Sequence, residues 1–207
     1  MKLFDPENPI INALNDLTDL IILGILWLIC SIPIITIGAS STALCYAYNK
    51  YFKHKEGHVT KLFFHSFRAD FKQSTVVWLI MAVILAFLGA DYYFSRVMLE
   101  DKPFLSIPLV AAIAITIFIL MWSQYAFAYI ARFENDTKTV IKNTILIMLA
   151  NFPWSFLLLF LFAVAALFFP LLLFFIPSLY MVVANLIHER VFSKYIKEKE
   201  IDDYADD

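Results

Sequence analysis

The residues able to do chemistry in this chain are few, and most of them stand alone. Asp91 interrupts an otherwise uncharged run from Ser74 to Phe94, and an acid in such a setting is a candidate ion or proton station. Gln124 and Asn185 are the other polar stations of that kind, with Ser123 beside the first. The three together are the only stations on which a solute path could be built. Asp91 also has Tyr92, Tyr93 and Arg96 beside it, which predicts a solvated carboxylate near a helix end. His54, His58 and His65 have no nearby cysteine, and no Cys-x-x-Cys or His-Glu-x-x-His spacing occurs. His188-Glu189-Arg190 are consecutive, so on a helix they point apart and form a charged collar rather than one site. With four glycines there is neither a phosphate-binding loop nor a dinucleotide fingerprint. No catalytic, cofactor-binding or metal-ligating residue is expected, and the chain does not read as an enzyme.

The elements that carry these residues are set by composition. The chain has 207 residues, 61% hydrophobic, 17% aromatic and 16% charged, with 21 phenylalanines. Soluble domains average about 45–50% apolar and 25% charged. Such an apolar excess has to face lipid, because too few polar residues remain to cover it. The formal net charge of −2 argues against a nucleic-acid binder. Cys30 and Cys45 both lie in apolar runs and make no disulfide framework. The expected class is an all-α, polytopic integral membrane bundle with five to six transmembrane helices and amphipathic helices on its cytoplasmic face.

A span needs about 20 apolar residues, 17 at the lower limit. A short helix is expected within 1–16, from Pro9 to Leu17, capped by Asn8. Its acids Asp5, Glu7, Asp16 and Asp19 predict that it is not a cleavable signal. Residues 17–51 form either a hairpin of two spans, giving six in all, or one span followed by a re-entrant helix, giving five. Pro33 and Gly38 are candidate helix breaks in that stretch. Ala39, Ala43 and Ala47 recur every four positions, which lets helices approach closely. Tyr46, Tyr48 and Tyr51 read as an aromatic belt. Further spans are expected at 74–97 and 104–131. No charge occurs from Thr144 to Ile187, so 152–190 reads as two spans, with a hairpin near Pro170 and a kink at Pro177. Residues 191–207 form a tail.

Two segments have a helical period without the length of a span. Over 60–73, Phe63, Phe67 and Phe71 fall on one face, while Lys61, Arg68 and Lys72 fall on the other. That pattern suits a helix at an anionic headgroup layer, or one that docks a partner. Over 136–150, Val140, Ile141, Ile145 and Met148 line one side behind an Asn135 or Asp136 cap. A tryptophan and an apolar run follow each helix, a recurrence too thin to establish a repeat. Lys50, Lys53, Lys55, Lys61, Arg68 and Lys72, then Arg132, Lys138 and Lys142, then Arg190, Lys194, Lys197 and Lys199 fall on one side. Arg96 and Lys102 fall on the other, so the expected topology places the basic loops and C-terminus in the cytoplasm.

Cys30-Ser-Ile-Pro-Ile-Ile-Thr-Ile-Gly-Ala39, continuing to Tyr46, resembles the signature of the YesL-like membrane family of Gram-positive bacteria. The segments Phe63–Trp78, Asn151-Phe-Pro-Trp154 and Pro177-Ser-Leu-Tyr180 through Arg190-Val-Phe192 resemble it in order and spacing. The family is defined as a domain of unknown function and brings no assigned catalytic residue. The resemblance implies a bacterial cell-membrane protein encoded near carbohydrate ABC importers. An accessory, non-catalytic subunit is therefore expected, with the lipid bilayer and an ABC permease and its ATPase as partners. The candidate docking residues are Lys61, Arg68 and Lys72 with Phe63, Phe67 and Phe71. The alternatives are an independent small transporter or channel for a sugar-related solute, and a membrane sensor or scaffold.

Overall fold

A computed structural model describes residues 9–54, 57–98, 106–168 and 176–195. Within them the chain is helical and forms a membrane-type bundle. The helices are α1 (Pro9–Ser31), α2 (Ile37–Tyr48), α3 (Val59–Ala69), α4 (Phe71–Met98), α5 (Ser106–Ile130), α6 (Thr137–Ala150), α7 (Phe152–Phe168) and α8 (Ile176–Tyr195). A 3-10 turn, Ile34–Thr36, precedes α2, and a π-helical turn, Asn49–Lys53, follows it. Among the described residues, three segments have the length and apolarity to cross a bilayer: Leu14–Ser31, Phe71–Ser95 and Pro108–Ile130. A fourth is reached if α6 and α7, bent by 92° at their junction, count as one. The expected pair of spans over 152–190 falls partly outside the described residues. Outward-facing side chains on α4 and α7, among them Val83, Phe87 and Phe160, are large and apolar, as a lipid-facing surface requires.

The first apolar run folds as a hairpin. α1 starts at Pro9 and runs unbroken to Ser31, so the expected short N-terminal helix is its first turns; Asn8 lies outside the described residues. Pro33 ends α1, because proline cannot donate to the preceding turn. The freed backbone is re-paired by side chains. The Thr36 hydroxyl lies 2.6 Å from the Cys30 carbonyl and 2.7 Å from that of Pro33. The Trp78 indole donates to the Ile34 carbonyl at 2.7 Å, and Ser31 and Ser40 join their hydroxyls at 2.6 Å. The tip is nonetheless apolar outside: Ile32 is 77% and Ile34 70% exposed.

α2 has 12 residues, about 18 Å of rise, against the roughly 30 Å of hydrocarbon a span must cross. Ala39, Ala43 and Ala47 are completely buried, as their spacing predicted. Tyr46 and Tyr48 are buried too, so they are not an interfacial belt; Tyr46 stacks on His65 of α3 instead. Gly38 is not a helix break but a packing site inside α2. A Cβ there would sit 2.5 Å from the Ser74 carbonyl oxygen and 2.6 Å from Trp78 Cβ, so α4 touches α2 backbone to backbone. Ser74 then donates to Thr42 at 2.8 Å in the same seam.

The later helices show two corners of one design. α3 stops at Asp70, whose N–H bonds the Ser66 carbonyl while its own carbonyl accepts from the Ser74 N–H. Phe71 and Lys72 therefore start α4 rather than continuing α3, and the expected 60–73 helix is two helices. α6 stops at Asn151, whose carbonyl accepts from the N–H of Ser155 in the same way. Both corners read Asx-Phe-x-x-Ser: Asp70 to Ser74 and Asn151 to Ser155. Pro177 is the second described residue of α8, and the residues before Ile176 lie outside the described residues, as does any kink there. α8 continues to Tyr195, into the expected tail, while the turn near Pro170 lies outside the described residues.

Gly38→Ala is expected to lower stability by about 1–3 kcal/mol, the usual cost of overpacking a tight contact. Gly89, in α4, has nothing within 4 Å of its Cβ position. Gly89→Ala is expected to raise stability by roughly 0.5–1 kcal/mol through helix propensity. Thermal unfolding of the detergent-solubilised variants checks the opposite signs; a stabilised Gly38→Ala would refute the close approach.

Candidate functional site

Two groups of polar residues lie at the end of the bundle that carries α3, the turn after α2 and the loop between α5 and α6. The first centres on Arg132, two residues past α5. Its Nη2 donates to Asn185 Oδ1 at 2.6 Å and to Asn49 Oδ1 at 3.3 Å, tying α8 to the turn after α2. Its guanidinium carbon lies 5.2 Å from the centre of the Phe192 ring. Burial pulls the guanidinium below its ordinary pKa, and the Glu189 carboxylate acts in the opposite direction. Tyr129 extends this network by accepting from the amides of Asn135 and Asn143. Gln73 donates to the Asn135 carbonyl, so the start of α4 is held as well.

Asp136 caps α6, accepting from the N–H of Lys138 and of Thr139 and from the Thr139 hydroxyl. The Thr139 hydroxyl bond chiefly holds this carboxyl below its usual range. A hydrogen bond to Asp19, aided by burial, pushes Tyr51 up to about 12, which places the acid-bearing part of α1 at this same polar end. At the α3–α4 corner, burial raises the Asp70 carboxyl, while the hydroxyl of Ser66 opposes the shift from 2.7 Å.

The second group is the outer face of α3. Phe63 is fully buried, and Phe67 and Phe71 are partly buried, stacked in sequence along the bundle. These aromatic residues hold α3 to the protein, leaving little of them for lipid or a partner. Lys61, Arg68 and Lys72 are exposed. Lys61, Phe64 and Arg68 line a shallow groove with Thr60, His65 and Ala69, and Phe64 is 38% exposed. The sequence pattern separated the two faces correctly, but counted as available an aromatic stripe that is already in use.

The three intramembrane stations do not meet. Gln124 accepts from the Tyr180 hydroxyl at 2.6 Å, and Asn185 serves Arg132. Asp91 sits next to Tyr92, which faces Ala112 of α5, whereas Gln124 lies level with Trp78. Ala112 and Gln124 are about 18 Å apart along α5, so Asp91 belongs to the opposite end of the bundle. His188 is not part of an exposed collar: it is 2% exposed, while Arg190 faces outward. Arg132 was read only as a topological charge; an arginine directly after a long apolar run was the signal of its role.

Residues 20–92 match the family model described as protein of unknown function, DUF624. The matched stretch runs from the apolar half of α1 through α2 and α3 into α4, and so contains the hairpin, its Trp78 tie and the cationic helix. At that coarse level it fits the YesL-like resemblance. No curated protein and no solved structure matches the chain.

Arg132→Leu would remove two charge-assisted hydrogen bonds and leave Asn49 and Asn185 without their donor. A loss of about 1.5–3 kcal/mol is expected, read as a lower midpoint of thermal unfolding. Unchanged stability would show that Arg132 does not join these elements.

Proposed function

We propose that this chain is a non-catalytic accessory subunit of a carbohydrate ABC importer, embedded in the cell membrane with α3, α6 and the C-terminus on the cytoplasmic side. The observation that carries the docking part is the divided surface of α3. Its Phe63 and Phe67 are turned into the bundle, and its Lys61 and Arg68 flank an exposed Phe64 on the outside. A cationic rim around one apolar contact complements an acidic segment with an apolar anchor on a neighbouring permease or ATPase. The identity of the importer comes from the YesL-like resemblance. The orientation comes from the bias of Lys and Arg toward the loops at this end.

In this reading the α1–α2 hairpin is re-entrant. Its tip meets α4 at Trp78, about two turns from the start of that helix, and α4 continues far beyond it. The exposed isoleucines at the tip then lie among acyl chains, and both ends of the hairpin emerge on the same side.

Cysteines replacing Ile34, Lys55 and Lys197 test the topology in intact cells. All three are expected to resist an impermeant maleimide, with only the latter two reacting after permeabilisation. Labelling of the Ile34 position from outside would replace the re-entrant hairpin with two spans. Lys61→Gln combined with Arg68→Gln tests the docking. This variant is expected to reach the membrane at normal levels but to recover co-expressed permease and ATPase several-fold less well, with a further loss at raised salt. Normal recovery at every salt concentration would remove α3 as the docking surface.

A further inference from the structure

The groove on α3 has a cation at each end and an aromatic ring between them. Lys61 and Arg68 are exposed, and two helical turns set them about 10.5 Å apart. Phe64 lies between them at 38% exposure. Val59–Ala69 contains no Asp or Glu. The carboxylate that ends the helix, Asp70, is turned to the Ser66 hydroxyl. The two cations therefore have no acid on their own helix to answer them.

The complementary pattern follows α8 in the same chain. From 200 to 207 the sequence is Glu-Ile-Asp-Asp-Tyr-Ala-Asp-Asp, rich in acids and without Lys or Arg, and it lies outside the described residues. Tyr204 stands between Asp203 and Asp206, which an extended chain holds about 10 Å apart. That spacing matches Lys61 to Arg68 and sets Tyr204 opposite Phe64.

The two patterns are also within reach of each other. Phe192, near the end of α8, meets Phe133 edge-on at 6.0 Å between ring centres. Two residues further on, the Asn135 carbonyl accepts from Gln73, which directly follows the α3–α4 corner. The path through these contacts from Phe192 to Arg68 is roughly 25 Å long. An extended chain from Tyr195 to Tyr204 covers up to about 30 Å.

We propose that residues 200–207 occupy the α3 groove when no partner does, with Asp203 and Asp206 on Lys61 and Arg68 and with Tyr204 against Phe64. Exposed ion pairs are individually weak and are screened by salt. A tethered segment works at an effective concentration in the millimolar range, so weak contacts hold it until a stronger partner displaces it. That competition rests on the docking reading of α3; the contact itself does not.

Carbodiimide, which joins a carboxylate to an amine in contact with it, tests the proposal on the full chain, one copy per phosphatidylcholine nanodisc. Mass spectrometry is expected to find Lys61 joined to 200–207 about five-fold more often than Lys138 or Lys142, which are exposed as well. Tyr204→Ala removes no charge and is expected to lower this yield several-fold, while Tyr204→Phe preserves it. Equal yields at the three lysines would overturn the proposal, as would an undiminished yield from Tyr204→Ala. In discs with added phosphatidylglycerol the Lys61 product is expected to persist; its loss would give the groove to the membrane surface and overturn the proposal. Asp203→Asn combined with Asp206→Asn is expected to recover co-expressed permease several-fold better. If Lys61→Gln with Arg68→Gln lowers that recovery and the Asn pair does not raise it, docking stands and the competition is overturned. If neither pair changes it, the docking reading fails, and the Lys61 yield alone decides the contact.

Discussion

With the hairpin tip in hydrocarbon, as proposed above, an unpaired carbonyl there has no water to turn to, and this constraint governs the first half of the bundle. Pro33 breaks a helix at a point surrounded by exposed isoleucines. The break is sustained by the Thr36 hydroxyl on the Cys30 carbonyl and by the Ile37 N–H on the Ile34 carbonyl, to which the Trp78 indole of α4 adds a second bond. Trp78 reaches Ile34 only because α4 lies against α2, and α4 lies there only because residue 38 has no side chain. Proline and glycine do separate jobs five residues apart. One interrupts the helix, and the other admits the neighbour that repairs the interruption.

The polar end obeys a related rule with different chemistry. Loops that could be left to water are instead pinned by side-chain amides around Arg132 and Tyr129. The two Asx-Phe-x-x-Ser corners turn α3 into α4 and α6 into α7 by the same exchange of backbone bonds. The long apolar helices are thereby fixed at the end where they meet the short ones. The thin recurrence visible in the sequence acquires a local meaning at these corners, as one way of starting an apolar helix directly from an amphipathic one.

Apolar runs in the sequence located α4 and α5 closely, because an uncharged stretch of that length has few alternatives. They left α2 open between a span and a re-entrant helix for a physical reason. Hydropathy reports what surrounds a residue, not whether lipid or protein supplies it, and α2 is encased by protein. The corner at Asp70 was hidden because Phe63, Phe67 and Phe71 keep a four-residue rhythm straight through it. Spacing correctly dispersed His188, Glu189 and Arg190 to different directions, but could not say which of them points inward.

The tie between Ile34 and Trp78 also bears on how the chain is made. The two residues are 44 positions apart, and the carbonyl is synthesised first. At about 5–20 residues per second, the hairpin exists for several seconds before its indole donor has left the ribosome. During that interval the Ile34 carbonyl has its local donor, the Ile37 N–H, and lacks only the indole. The hairpin's own backbone and hydroxyl bonds can therefore form first, and its tie to α4 closes only once that helix has been made.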